Sequence, residues 1–420
     1  MLLTLAIHDI GSIALGAATK LEGNKLEVDP VELRQLLLED SRLQSVDIET
    51  VSPGEECRIG VVYDIIEPRT KEPGSGSDFP GILGPIKMAG QGTTHVLRGA
   101  AVTVVDDGAT LENAKILEMT GPAGEASPYT SLHHLVITPH PVKGLERHTG
   151  LAVTRLASVT TAVYLAKCTL EITPDSAEIF DSEGPFVKGR EGLPRLAYIG
   201  QIHSRQRVAE IDEKILYGDN TAGMVPVLLH PNEWLDGAVV TCNRAMGAET
   251  YFYQNHPVIT ELYRRHQQDE ITFVGTIATV AASDNEERDR ICMLAAEQAK
   301  WNLSADGAVL TKYGGGAPHA DMAQTALRCE ELGIRTTVQV SDMSWDRRAE
   351  SALLFNYPEV DAIVYVGGRD TDWQVPASGR VIAGNGEVAE DLGAPRKLFS
   401  TNVCGVASQQ GISRLRALVY

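Results

Sequence analysis

The chain has 420 residues, 43% apolar and 22% charged, with a formal charge of −19, an ordinary globular composition at a length that predicts two or three domains. The acidic balance argues against nucleic acid or an anionic membrane as partner, because both require a basic face, and no apolar run approaches the roughly 18 residues that span a bilayer. Six cysteines (Cys57, Cys168, Cys242, Cys292, Cys329, Cys404) are scattered singly with no C-x-x-C, which points to a reducing cytoplasm and not to a disulfide framework or a zinc ribbon.

The opening MLLTLAIHDIGS has no basic n-region and alternates at Leu3, Leu5 and Ile7; it reads as a first strand and not as a signal peptide. DPVELRQLLLED, Asp29 to Asp40, predicts a helix with Asp29 as N-cap, Pro30 at N1 and Glu32 at N3. VDIETVSPGEECRIGVVYDIIEP alternates as strands do, TKEPGSGSDFPGILGP (Thr70 to Pro85) is a Gly/Pro/Ser loop, and AGQGTTHVLRGAAVTVV returns to strand. LHHLVITPHPV reads as a strand and LERHTGLAVTRLASVTTAVYLAKC as a helix. RLAYIGQIHS and MVPVLLHP follow as strands, and Gly237 to Val240 in LDGAVVTCNRAMGAET reads as a buried strand that delivers Cys242 into a polar turn.

The last third alternates: strand ITFVGTIATV, helix NEERDRICMLAAEQAKWNLSA, strand DGAVLTK, helix MAQTALRCEELG with Gly333 at C′, then strands IRTTVQVS and DAIVYVGG. The class is therefore α/β: a β-rich N-terminal region and a mostly parallel, doubly wound C-terminal sheet. The predicted division is 1–105 (β-rich), 106–240 (α/β middle region) and 241–420 (doubly wound).

Glycine loops are expected at two strand ends, Gly314-Gly315-Gly316 and Gly367-Gly368. Neither forms a Walker A or a G-x-G-x-x-G, so a structural turn is favoured over an anion cradle. His133, His134, His140 and His148 cluster in sequence, but adjacent histidines on a strand face opposite ways and no H-E-x-x-H exists; no metal site is expected. There is no G-x-S-x-G. A lone cysteine after a strand is more often packing than nucleophile, although Cys242 with His230, His256 or His266 as base would suit thiol catalysis.

Six collinear stretches, GQGTTHVLRGAAV, LEMTGPAGEASPY, VPVLLHPNEWLDGAVV, HPVITELYRRH, SADGAVLTKYGGGAPHADM and CEELGIRTTV, resemble the proprotein subunit of component B of glycine, sarcosine and betaine reductases, to which D-proline reductase is related. The resemblance runs from about residue 15 to about residue 380. It implies internal cleavage at a cysteine that becomes an N-terminal pyruvoyl group, which places that role on Cys242 with Thr241 C=O as the attacked carbonyl. It further implies Schiff-base activation of a small amine or amino acid for reductive C–N cleavage, an electron-sink role. A separate subunit would carry the thiolate or selenolate, in a cytoplasmic hetero-oligomer without flavin, nicotinamide or metal.

In that family an asparagine precedes the processed cysteine and a second cysteine follows closely; here Thr241 precedes it, Asn243 follows, and the segment to Tyr251 is about three residues shorter. The alternative is an uncleaved paralogue that binds a partner subunit or uses Cys242 directly as a thiol. Cys404 is a structural thiol by default. Asp236, His230, His95, Arg98 and Arg244 are the expected substrate contacts, the arginines because a substrate carboxylate calls for a guanidinium. Thr120 to Glu125 lies in another matching block.

Overall fold

Leu2–Asp9 forms the predicted first strand, burying Leu3 and Leu5, and pairs in parallel with Gly92–Arg98 and antiparallel with Ser176–Asp181. With Arg69–Lys71 these make a four-stranded sheet. A second four-stranded sheet runs Leu43–Val51, His133–Pro141, Ala100–Val105, Val62–Ile66. The 21-residue helix Arg147–Lys167 packs Val153, Ala157 and Val159 into the core that these strands share with helix Pro30–Leu37. The computed structural model describes all residues except 113, 182–191, 203–220, 222, 242–247, 283, 315, 343–359, 369–370, 409, 412, 416–417 and 420.

The C-terminal sheet has seven strands in the order Val227–Leu229, Thr272–Thr279, Arg195–Gln201, Gly307–Thr311, Arg335–Asp342, Ala362–Gly368, Leu418–Val419. The five inner strands are parallel and each edge strand is antiparallel. Helices cover both faces. Pro257–Gln267 packs Ile259 and Leu262 with Tyr198 on one side, while Asn285–Glu297 and Ala317–Glu331 pack Ala295, Met322 and Ala326 with Ala197 and Ile199 on the other. The sheet is doubly wound, as its alternating elements predict. Chain order reverses at Arg195–Gln201, so the switch point lies between that strand and Gly307–Thr311.

Strands from either side of residue 105 share one sheet, and so do strands from either side of residue 240. Val381–Ile382 also reaches back to pair with Arg58–Gly60.

Local signals set several boundaries. Asp29 caps its helix by accepting from Val31 N–H and Glu32 N–H at 2.8 and 3.1 Å. Gly333 turns the chain at φ +72° after helix Ala317–Glu331. Two expectations fail. Gly237–Val240 is a buried irregular segment and not a strand. Gly367 and Gly368 lie inside strand Ala362–Gly368 and not in a loop after it; Gly367 has φ +94°, and a Cβ there would sit 2.6 Å from Leu415 Cδ1.

Candidate active site

The helices Pro231–Leu235, Thr250–Gln254 and Pro257–Gln267 fill the space between the N-terminal sheet and the C-terminal sheet. Trp234, Val239 and Tyr253 touch a core that includes both Leu3, Leu5 and Val96 and Tyr198 and Phe273. Cys242 and Arg244 lie outside the described residues; the segments on both sides of Cys242 are placed.

On the upstream side His230 caps helix Pro231–Leu235. Its Nδ1 accepts from Asn232 N–H at 3.1 Å, and Glu233 answers by accepting from His230 N–H at 2.8 Å, a reciprocal capping box. Burial pushes the His230 imidazole down to about 4. Asp236 follows as a buried anchor: it pairs with Lys71 and accepts from Gly90 N–H and Thr94 Oγ1 at 2.7 Å each. Gly90 has no room for a side chain, since a Cβ would meet Glu233 N at 2.8 Å at φ +84°. After Gly237, Ala238 to Thr241 run buried, and Thr241, fully buried, donates its N–H to Thr250 Oγ1 at 3.0 Å.

Thr250 opens the segment downstream of Cys242 and is held by Asp64 on strand Val62–Ile66. Its hydroxyl donates to Asp64 Oδ2 at 2.6 Å and its N–H to Asp64 Oδ1 at 2.8 Å, which also accepts from Ile65 N–H at 2.8 Å. Asp64 is 1% exposed, and burial, only partly offset by the Thr250 bonds, raises its carboxyl to about 8. Glu249 beside it is fully buried and likewise shifted up by burial. It accepts from Tyr129 O–H at 3.4 Å, while its Oε1 has no hydrogen-bond partner among the described residues. Cys404 adjoins this pair, its thiol pushed well up by burial and then by Glu249; its carbonyl accepts from Ser127 Oγ at 2.7 Å.

A second charged group flanks the same helix. Glu67 pairs with Arg69 and, at 3.0 Å, with Arg98. Gln254 brackets the Glu67 backbone at 2.9 and 3.1 Å, and Arg69 donates to Gln254 O at 3.1 Å. A small cavity here is lined by Arg69, Lys71, Asp78, Phe79, Thr94 and Asp236; the Gly/Pro/Ser loop supplies Asp78 and Phe79.

The expected contacts are therefore divided. Asp236 and Thr241 share the buried segment that leads to Cys242, and Arg98 reaches the same Glu67 network while also pairing with Glu178 at 3.2 Å. His95 points the opposite way from its neighbour Thr94, as strand alternation requires; it stacks on His8 with centroids 5.2 Å apart and Nδ1 3.0 Å from His8 Nε2. Thr120 caps the short helix Gly121–Glu125. Gly314 and Gly316, at φ +61° and +68°, shape the entry to helix Ala317–Glu331 at the sheet's switch point; Gly315 lies outside the described residues. Of the clustered histidines, His134 uses both ring nitrogens, on Thr103 Oγ1 at 2.8 Å and Tyr129 O at 2.9 Å, and His140 faces Asp47 and Asp107.

Asp64, Glu67, Arg69, Lys71, Glu249 and Thr250 escape a reading by local pattern. The signal available is a charged residue set in the apolar run VVYDIIEP, an unusual place for one unless it has buried partners.

A family model described as glycine/sarcosine/betaine reductase component B subunits matches residues 1–404. The chain belongs to the glycine/sarcosine/betaine reductase component B family. It is 31% identical to "Glycine reductase complex component B subunits alpha and beta" of Acetoanaerobium sticklandii over 98% of each chain. It is 28% identical to "Sarcosine reductase complex component B subunit alpha" of Peptoclostridium acidaminophilum over 89% of this chain and 87% of that one. It is 27% identical to the same organism's "Betaine reductase complex component B subunit alpha" over 80% and 77%. No solved structure matches. These component B relatives are parts of reductase complexes, which supports a reductase role for this member. No described helix is long and apolar enough to cross a membrane.

Proposed function

We propose that this component B chain is a substrate-activating subunit that cuts itself before Cys242 and carries the resulting pyruvoyl group into reductive C–N cleavage of a small amine or amino acid. The observation that carries the reading is the Thr241 peptide: wholly buried, and held through its N–H to a hydroxyl that is itself fixed by a buried carboxylate. An acyl shift needs a carbonyl that cannot swing away from its nucleophile.

The steps balance within the chain and water. The Cys242 sulfur bonds to the Thr241 carbonyl carbon as the C–N bond breaks, and the thiol proton ends on the freed nitrogen. Loss of the Cys242 Cα proton expels the Thr241 thiocarboxylate and leaves dehydroalanine, which water converts to a pyruvoyl terminus and ammonia. The neighbouring residues suit this: Asp64 and Glu249, both raised by burial, add little negative charge beside a carbonyl that must become an oxyanion. A pyruvoyl carbonyl, once present, supplies an electrophile for a substrate amine and a sink for electrons from its C–N bond. Arg69, Lys71 and Asp236 would orient the charged ends of such a substrate, and a partner subunit bearing a thiolate or selenolate would deliver the reduction.

Intact mass of the denatured protein tests the reading. Cleavage gives pieces of 241 and 179 residues, about 26 and 19 kDa in proportion to the whole 45.3 kDa. The smaller should lack the cysteine sulfur and react with hydrazines. A single 45.3 kDa species, unchanged on ageing, would instead favour an uncleaved subunit using Cys242 as a thiol.

A further inference from the structure

The loop from Thr241 to Thr250 is closed on itself by one hydroxyl. Thr250 Oγ1 accepts from Thr241 N–H at 3.0 Å and donates to Asp64 at 2.6 Å, and Asp64 also receives Thr250 N–H at 2.8 Å. Asp64 is thus the fixed post for both ends of the segment, reached across 186 positions of sequence. A turn that needed only to be closed could use backbone hydrogen bonds. A carboxylate buried to 1% exposure is an expensive way to close it, and that expense calls for a reason.

We propose that Asp64, acting through the Thr250 hydroxyl, is the positioning residue for self-cleavage at the Thr241 carbonyl. The inference rests on the processing reading above. The attacked carbonyl belongs to the residue whose N–H the relay holds, so Asp64 restrains the acyl donor from its upstream side while the bond downstream breaks. Its protonation matters as well. Sulfur attack puts negative charge on the Thr241 oxygen; a neutral Asp64 tolerates this, and an ionised one, two hydrogen bonds from the Thr241 nitrogen, opposes it. The groups facing Asp64 are Glu249, Tyr129 and Cys404, with Lys115 beyond them facing Glu249 and Cys404. With its carboxyl at about 8, Asp64 passes from neutral to charged as the pH rises through that value.

The test is a time course of cell-free synthesis of the full chain, followed by intact mass across pH 6.5 to 9.5 for wild type, Asp64→Asn, Asp64→Ala, Thr250→Val and Thr250→Ser, with far-UV circular dichroism to confirm folding. Thr250→Ser keeps the relay and should cleave near the wild-type rate. Thr250→Val and Asp64→Ala should slow cleavage on the order of 10- to 100-fold, the scale of a displaced reacting group. Wild type should lose rate above pH 8, and Asp64→Asn, which cannot ionise, should not. A merely structural pin would leave the pH profile of Asp64→Asn like that of wild type. That result, or folded Thr250→Val and Asp64→Ala cleaving at the wild-type rate, overturns the inference while leaving self-cleavage standing. Failure of wild type itself to cleave would instead reject the processing reading and this inference with it.

Discussion

Lys312 follows strand Gly307–Thr311 and is wholly buried, its Nζ donating to Gly314 O at 2.6 Å. Burial lowers its ammonium from 10.5 to about 7. Between those values the unfolded chain holds a proton that the folded chain has released, so wild-type stability rises with pH across that window. The linkage amounts to about 4 kcal/mol against folding at pH 7 and about 2 kcal/mol at pH 9. Replacing Lys312 by methionine removes this term and keeps most of the volume, at a loss of about 1 kcal/mol for the bond to Gly314. Lys312→Met should therefore be more stable by about 3 kcal/mol at pH 7 and by about 1 kcal/mol at pH 9. Urea unfolding of both proteins in a Cys242→Ala background, where no cut can intervene, measures the two differences. An equal difference at both pH values, or a variant less stable at pH 7, would refute the reasoning.

Arg58, 1% exposed, joins Glu118 at 2.5 Å to Leu392 O at 2.5 Å and Pro376 O at 2.9 Å; Arg58→Met strands the Glu118 carboxylate and should cost about 3–5 kcal/mol in denaturant unfolding. Burial raises Cys57, Cys292 and Cys329 to about 12 and Cys404 well above its ordinary value, so iodoacetamide at pH 8 should leave all four unmodified in the native protein by peptide mass. Burial lowers His134 to about 4. Its neutral form is favoured in the fold, so stability is retained above pH 6.5 and falls as the pH drops toward 4. His134→Asn should make that fall shallower by up to about 1.4 kcal/mol per pH unit, seen in melts between pH 4 and 6.5.

The doubly wound sheet was legible because its signals are local: a capping aspartate at Asp284 that accepts from Glu287 N–H at 2.8 Å, a terminating Gly333, and apolar strands between. The segment Gly237–Val240 misled because apolarity reports burial, and here burial comes from packing between two sheets without strand pairing. Gly367 and Gly368 were read as a loop because a glycine pair usually marks one, whereas here a crowding leucine side chain demands the missing Cβ. The site was legible only as far as Cys242 and its flanks. Asp64 and Thr250 meet across nearly half the chain, and nothing local to either announces the other.

The sheet order bears on what a cut before Cys242 would leave behind. Strand Arg195–Gln201 would belong to the larger piece, yet it is hydrogen-bonded on one side to Thr272–Thr279 and on the other to Gly307–Thr311, both in the smaller piece. Conversely, Val381–Ile382 of the smaller piece is stitched to Arg58–Gly60 of the larger. The two halves would be interlaced like clasped fingers, each supplying strands to the other's sheets. Nicking would then change the covalent count without loosening the particle: gel filtration should still give one peak at the mass of the whole, and neither half should be obtainable as a folded protein when expressed without the other.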